Sequence, residues 1–126
     1  MRIVPIRTGT VRIRRRMQRG VRGPLRRVAM FTGPWTGTLP ILAWAIDHPE
    51  GVIVVDTGEH AAVPDVPIAR FTVTADDELG PGLRAAGFDP GAVRRVVLTH
   101  LHGDHIDGLH HLPNAAIHAL LSLIHI

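Results

Sequence analysis

The fold of this chain is decided by one stretch, Thr99-His100-Leu101-His102-Gly103-Asp104-His105, which directly follows the apolar run Val96-Val97-Leu98. Side chains alternate along a strand, so His100 and His102 would project to the same side at its end. A turn at Gly103 would then bring Asp104 and His105 close to both histidines. Imidazole and carboxylate groups are ligands that suit zinc and similar metals. The stretch predicts two ligand pairs for two adjacent metal ions; the alternative is a polar loop that is merely rich in histidine.

The order His100-x-His102-x-Asp104-His105 resembles the HxHxDH signature of the metallo-β-lactamase superfamily. A second match lies upstream, where Val52-Ile53-Val54-Val55-Asp56-Thr57-Gly58 is similar to the superfamily's strand that ends in Asp-x-Gly. The resemblance implies an α/β (α+β) protein, an αββα sandwich with a metal pair at one edge. It implies that His100 and His102 bind the first metal and that Asp104 and His105 bind the second. Asp56 would sit beneath the metals and hold their ligands in place.

The region from Glu78 to His100 is most similar to the N-acyl homoserine lactonase-like branch of this superfamily. This similarity implies a quorum-quenching hydrolase with two zinc ions in the complete enzyme, acting on a small-molecule lactone or ester. A metal-bound hydroxide would open the substrate, with Asp104 as the catalytic group that orients it. Two alternatives stay open: a metal-dependent phosphodiesterase or nuclease of the same superfamily, and an inactive metal-binding fragment.

Four ligands do not fill the shells of two metals, and the resemblance implies a further His and a bridging Asp downstream. No Asp or Glu follows Asp107, and we interpret His118 as a strand residue rather than as that ligand. We therefore expect residues 1–120 to be the N-terminal part of one domain. Residues 121–126, Leu-Ser-Leu-Ile-His-Ile, are what a common transposase sequencing adapter encodes. We expect them to be a non-native tail; the competing interpretation is a genuine apolar strand.

Composition limits the remaining function classes. The chain has 126 residues, which favours one domain, and no cysteine, which excludes disulfides and thiolate metal ligands. No apolar run approaches the roughly 18 residues that a membrane span needs, and no secretory segment opens the chain, so we predict a cytoplasmic protein. Oligomeric state cannot be read from the sequence.

The basic residues of this chain are all arginine, and ten of the 14 lie in the first 27 residues. They could form a nucleic-acid surface, but Arg12 and Arg14 alternate with Val11 and Ile13, as on a strand with one solvated face. Aromatic residues that would stack on bases are not interleaved with them, which argues against nucleic acid as a partner.

Periodicity and turn residues predict the element order. We expect strands at 2–7 and 10–14 separated by a turn or bulge at Thr8-Gly9, and a long loop over 15–37. Further predicted strands cover 39–46, 52–55, 71–74, 93–98 and 115–118. We expect a helix after the acidic residues 76–78, with its start delayed to Pro81 and its end at Gly87, and a short helix over 104–109.

Several lone residues receive simple interpretations. We expect Trp44 in the core and Trp35 as a pocket wall or a cap. We interpret His60 as an exposed loop residue, with a position beside the cleft as the alternative. His110 and His111 are explained by a contact with a helix end.

Overall fold

A computed structural model describes residues 1–120 as a mixed sheet with short helices; the expectation of a non-native tail concerns 121–126, outside the described residues. The sheet order is β4-β1-β2-β3-β5-β6. The strands are Arg2–Ile13 (β1), Leu39–Asp47 (β2), Ile53–Val55 (β3), Ala69–Thr72 (β4), Arg95–Leu98 (β5) and Ala116–Ala119 (β6). The α-helices are Arg15–Arg19 (α1), Arg26–Ala29 (α2), Leu79–Ala85 (α3) and Gly103–Ile106 (α4). The predicted α/β class is confirmed.

Helices in this chain are short, and none among residues 1–120 is long and apolar enough to cross a membrane. The predicted cytoplasmic location stays a prediction.

The first strand is one continuous element, so the prediction of two strands at 2–7 and 10–14 is wrong. The predicted bulge is present, because the register against β2 shifts between Arg7 and Thr10. A bulge accommodates extra residues without ending the strand. Here Thr8 is buried and its hydroxyl donates to the Ile41 carbonyl at 3.3 Å, so the chain stays attached to β2 through the irregular stretch.

Parallel pairing places the end of β3 beside the end of β5. Residues Ile53, Val54 and Val55 pair with Arg95, Val96 and Val97, and β5 pairs in parallel with β6 in turn. Parallel neighbours end at the same edge of a sheet, so the residues that follow β3 and β5 must meet there. This edge carries Asp56 on one side and Thr99 with the histidine-rich stretch on the other.

One face of the sheet is covered by α3. Leu79 and Leu83, four residues apart on the same side of that helix, are fully buried against the sheet. The capping box of Thr74 and Asp77 closes a 3-10 turn just before the helix, which begins two residues earlier than the Pro81 predicted from sequence. The buried core cluster consists of Ile6, Ala43, Ala45, Val54, Leu79, Leu83, Phe88, Val93, Val96, Leu98 and Leu112.

The other face of the sheet is also apolar, which explains why the prediction for Trp44 is wrong. Ala43 and Ala45 point into the core, so the alternation of β2 places Trp44 on the opposite face, where it is 39% exposed. Trp44 pairs with Val55, and Val55 pairs with Val97 across the same face. An αββα sandwich has a second sheet on this face; residues 1–120 contain one sheet.

The predicted long loop over 15–37 contains α1 and α2 and returns to the sheet at Trp35. The Trp35 ring lies against two guanidinium groups, with the Arg14 and Arg70 Cζ atoms 3.9 Å and 4.6 Å from its centroid. Cation–π attraction therefore holds the end of the loop against the sheet at Trp35. Of the two roles predicted for Trp35, this contact corresponds to the cap.

Replacement of Leu83 by alanine should destabilise the fold by about 2–5 kcal/mol, because it removes a buried side chain and leaves a cavity against the sheet. Urea denaturation followed by circular dichroism measures this change. Leu25→Ala, at a residue that is 73% exposed, is the control and should change the free energy of unfolding by less than about 0.5 kcal/mol. Equal effects of the two substitutions would contradict the described core.

Candidate metal centre

Asp56 connects the ends of β3 and β5. Its backbone N–H donates to the Val97 carbonyl at 2.9 Å, which extends the parallel pairing by one step. Its carboxylate accepts the Thr99 backbone N–H at 2.9 Å and the Thr99 hydroxyl at 2.7 Å. Asp56 is buried and has a φ of 57°, the left-handed region that aspartate tolerates better than most residues. These bonds hold the strained backbone in place and aim the carboxylate at the signature stretch.

The same carboxylate also holds the ring of His105. Its Oδ2 atom lies 2.8 Å from His105 Nδ1, although 49 residues separate the two in sequence. The His105 carbonyl accepts both the Thr57 backbone N–H at 2.8 Å and the Thr57 hydroxyl at 3.0 Å. The two residues that follow β3 therefore fix His105 at its side chain and at its backbone.

Gly108 allows this close approach. Its backbone N–H donates to the Thr57 hydroxyl oxygen at 3.1 Å, and it is buried. A Cβ atom at position 108 would clash with the Thr57 carbonyl oxygen, so no larger residue fits without moving the backbone. Gly108, two residues after the end of α4, therefore packs directly against Thr57 in the turn after β3.

The structure brings the predicted ligand residues together. The ring centroids of His100 and His105 are 3.8 Å apart, and those of His100 and His102 are 4.8 Å apart. His105 Nε2 lies 3.5 Å from Asp104 Oδ2. His102 is the residue that precedes α4, and its carbonyl accepts the His105 backbone N–H at 3.0 Å. The predicted turn at Gly103 is therefore the first turn of a short helix.

Hydrogen bonding fixes which ring nitrogen is free in two of the three histidines. An ionised carboxylate only accepts hydrogen bonds, so His105 Nδ1 donates to Asp56, and in the neutral ring the lone pair is then on Nε2. The Thr99 hydroxyl donates its proton to Asp56, so His100 Nδ1, at 3.0 Å, donates to the Thr99 oxygen. His100 Nε2 is then free as well. Burial, followed by the nearby His105 and His102, lowers the pKa of His100, which favours the neutral ring that binds metal.

These residues fit a zinc-type metal by the chemistry of their donor atoms. Metal-binding histidines usually donate the other ring N–H to a carboxylate or a similar acceptor, as His105 does to Asp56. A free Nε2 lone pair facing the Asp104 carboxylate at 3.5 Å is an arrangement that a cation between them would stabilise. The donor set is nitrogen and oxygen only, as zinc and related divalent ions accept.

A second acidic group, which the sequence analysis missed, borders this centre. Glu59 is 1% exposed, and burial raises its pKa to about 7, with contributions from Asp107 and Asp104. One Glu59 oxygen accepts the His60 backbone N–H at 3.0 Å. His60 Nε2 lies 3.7 Å from Asp107 Oδ2, so His60 contacts this cluster, as in the alternative interpretation that places it beside the cleft. In the sequence, a role for Glu59 at this centre is indicated by its position directly after Asp56-Thr57-Gly58, at the end of a buried strand.

Ligand-type side chains also cluster at two other places among residues 1–120. Glu59, His60 and Asp107 form one group whose candidate ligand atoms lie within 4.8 Å of one another, and Glu78, His110 and His111 form the other. His118 lies on β6 and is exposed, as expected for a strand residue. The sequence analysis explained His110 and His111 by a contact with a helix end. In the structure both rings also lie near the Glu78 carboxylate, which that interpretation did not include.

A cavity of about 390 Å³ opens beside the signature stretch. Its polar side is formed by His102, Asp104, Asp107 and Glu59. Its other walls are mostly apolar and consist of Val11, Ile13, Met17, Val63, Pro64, Val66, Ile68, Ala69 and Phe71. The centre therefore faces a pocket that combines these four polar side chains with mostly apolar walls.

Comparisons with known proteins identify the family of this chain and its fold. The family profile described as the metallo-beta-lactamase superfamily matches residues 36–122, more than half of the chain. The N-acyl homoserine lactonase AttM of Rhizobium johnstonii is 31% identical over 86 residues, which cover 61% of this chain and 33% of that protein. AttM of Agrobacterium fabrum gives the same identity and coverage. The chain thus spans about a third of the length of these curated relatives.

Solved structures match the fold. An N-acyl homoserine lactone hydrolase with the product N-hexanoyl-L-homoserine at its catalytic metal center has a TM-score of 0.74 and 22% identity, covering 91% of this chain and 46% of that one. AidC, a dizinc quorum-quenching lactonase, has a TM-score of 0.63 and 20% identity, covering 91% and 40%. At these identities the likeness shows the fold, and the αββα fold expectation is confirmed.

Replacement of Asp56 by asparagine should weaken zinc binding by about 10–100-fold, because the amide cannot accept from Thr99 and His105 together as the carboxylate does. Competition titration of the metal-free protein with a chromophoric chelator measures the affinity. Asp47→Asn, at the exposed end of β2, is the matched control and should bind zinc as the parent does. Unchanged affinity in Asp56→Asn would show that this carboxylate does not support the centre.

Glu59 should make the metal-free protein less stable as the pH rises from about 4.5 to about 7. Over this range an unfolded Glu59 ionises while the folded one keeps its proton, so the unfolded state is favoured. Glu59→Gln cannot ionise and should gain ~1 kcal/mol or more relative to the parent between about pH 5 and about pH 8. Urea denaturation at both pH values tests this, with the exposed Glu50→Gln as control. A parallel pH dependence of parent and Glu59→Gln would contradict the raised pKa.

Proposed function

The chain belongs to the metallo-β-lactamase superfamily, and on that premise we propose that it carries the metal-binding half of a hydrolase that opens lactones or related esters. The proposed substrate class is N-acyl homoserine lactones, and the proposed cofactor is a pair of zinc ions. Support for the substrate comes from the lactonases to which the chain is similar. The activity of a whole protein is part of the proposal, since the chain spans about a third of those relatives.

The observation that carries this proposal is the set of hydrogen bonds that the Asp56 carboxylate and the Thr99 hydroxyl make with the rings of His105 and His100. Through Asp56 and Thr99, the Nδ1 atoms of His105 and His100 are both used as donors, which leaves Nε2 of each neutral ring for a metal. His105 Nε2 lies 3.5 Å from Asp104 Oδ2, and the His100 ring lies beside the His105 ring. We assign His100 and His102 to the first metal and Asp104 and His105 to the second. When bound, such ions supply activated water near neutral pH and polarise the scissile carbonyl.

The side chains of this chain then have distinct tasks. Asp104 has one oxygen directed at His105 Nε2, and its carboxylate can accept a hydrogen bond from the attacking water and orient it. Asp56 touches neither water nor substrate; it orients His105 and Thr99. Glu59, buried and with its pKa raised to about 7, can hold a proton in the lining of the cavity. Further ligands are needed to fill two metal shells, because four signature residues do not suffice.

The cavity supports an acylated substrate. The apolar walls can hold a hydrocarbon chain, while the polar side chains of the lining, Asp104 among them, receive the ester group. No arginine lines this cavity within the described part of the chain. A phosphodiester substrate would instead require cationic groups along its backbone. The cavity therefore favours a lactone over the alternative of nucleic-acid hydrolysis.

The test is hydrolysis by the zinc-loaded protein, using the longer chain if this sequence is a piece of one. We expect opening of an N-acyl homoserine lactone, followed by proton release, with little dependence on salt. Asp104→Asn should lower the rate by about 100-fold or more, since it removes both a metal ligand and a hydrogen-bond acceptor. Asp76→Asn, an exposed aspartate in the turn before α3, is the control and should retain the parent rate.

Two results would contradict the proposal. One is lactone opening that survives unchanged in Asp104→Asn. The other is hydrolysis confined to phosphodiesters, together with nucleic-acid binding that falls steeply as salt rises. Stoichiometric zinc binding with no hydrolysis of either substrate by the longest available chain would favour the inactive metal-binding fragment.

A further inference from the structure

Three ligand-type side chains meet outside the signature stretch. Glu78 immediately precedes α3, whereas His110 and His111 lie in the 3-10 turn that follows α4. Glu78 Oε2 is 2.7 Å from His111 Nε2 and 3.6 Å from His110 Nε2, and the candidate ligand atoms of all three lie within 4.8 Å of one another. This cluster shares no side chain with the centre around Asp56.

The hydrogen bonds of the cluster prepare it for a cation. A backbone carbonyl only accepts, so His110 Nδ1 must donate to the Asp107 carbonyl at 2.9 Å. In the neutral ring this leaves the lone pair on Nε2, which faces the Glu78 carboxylate at 3.6 Å. A lone pair opposite a carboxylate is repulsive unless positive charge lies between them. This is the tautomer that metal-binding histidines adopt when a carbonyl fixes the other ring nitrogen.

The carboxylate and the second ring are held in place as well. Glu78 Oε1 accepts the Ala61 backbone N–H at 2.9 Å, which leaves Oε2 for the histidines. This bond, and then the neighbouring His111 and His110, lower the pKa of Glu78 and keep it ionised. Gly80 makes room for His111, because a Cβ at that position would clash with the ring at Nδ1.

Burial leaves one side of the cluster open. The side chains of Glu78 and His111 are 16% and 18% exposed, whereas that of His110 is 57% exposed. A zinc-type ion held by two imidazoles and one carboxylate has three protein ligands and needs a fourth, which water can supply from the open side.

We propose that Glu78, His110 and His111 form a second site for a divalent transition-metal ion, separate from the signature centre. The ion takes the place of the proton that His111 Nε2 shares with Glu78, so that proton is released on binding. The bound ion connects the start of α3 to the turn after α4. Because His110 also contacts the Asp107 carbonyl, this link restrains the segment that leads back to the signature stretch.

The experiment isolates this site in a full chain whose signature ligands are removed by His100→Ala, His102→Ala and Asp104→Ala. His105 is retained because it supports the fold through Asp56. The metal-free variant is titrated with Co²⁺, and binding is followed by visible absorption and by the thermal unfolding temperature. We expect one equivalent of Co²⁺ to bind, with a rise in the unfolding temperature.

Three further substitutions and one control decide the assignment. Glu78→Gln keeps an oxygen for the Ala61 N–H but loses the charge, and His110→Gln and His111→Gln each lose a ligand. Each should weaken Co²⁺ binding by about tenfold or more and remove the rise in unfolding temperature. His118→Gln, at an exposed histidine on β6, should bind Co²⁺ like the background variant.

Two outcomes would overturn the inference: no Co²⁺ binding by the background variant, or binding that persists in His110→Gln. The second is decisive even if Glu78→Gln or His111→Gln fails to fold, since His110 is largely exposed and its loss leaves the core intact. Binding that persists would assign the ion to another group, such as Glu59, His60 and Asp107.

Discussion

The buried carboxylate of Asp56 is the interaction on which the rest of the structure depends. It accepts three hydrogen bonds, from the Thr99 backbone, the Thr99 hydroxyl and the His105 ring. A buried carboxylate is costly unless such donors compensate for lost water, so the two strand ends and the α4 segment must stay together. The sheet provides the frame, since parallel pairing of β3 with β5 brings Asp56 to Thr99. The candidate centre is therefore a consequence of strand order.

Histidine is used in the same way at two places in this chain. His105 and His100 give their Nδ1 protons to Asp56 and to the Thr99 oxygen, and His110 gives its own to the Asp107 carbonyl. In each case a fixed acceptor settles the tautomer of the neutral ring, and Nε2 of His105 and of His110 lies near a carboxylate. The first set lies beside the cavity and suits chemistry on a substrate. The second, with Glu78, lies between α3 and the turn after α4 and suits a structural ion.

Local pattern was enough to predict the strand positions, apart from the division of β1 into two strands, and the short helix after Gly103, because alternation and turn residues act over a few positions. The meeting of Asp56 with the signature stretch followed from the resemblance. The contacts of Glu78 with His111 and of His60 with Asp107 join residues 33 and 47 positions apart, so only the tertiary fold reveals them. The prediction of Trp44 in the core was wrong because both faces of the sheet are apolar. Hydrophobicity alone does not tell which of the two faces α3 covers.

The most direct test of the central claim is anomalous diffraction at the zinc edge from crystals grown with zinc. The account predicts two anomalous peaks, one about 2.0–2.2 Å from ring nitrogens of His100 and His102 and one about 2.0–2.2 Å from His105 Nε2 and an Asp104 oxygen, while the Nδ1 atom of His105 stays bonded to Asp56. Zinc density only at other positions, or signature side chains pointing away from one another with no ion between them, would contradict it.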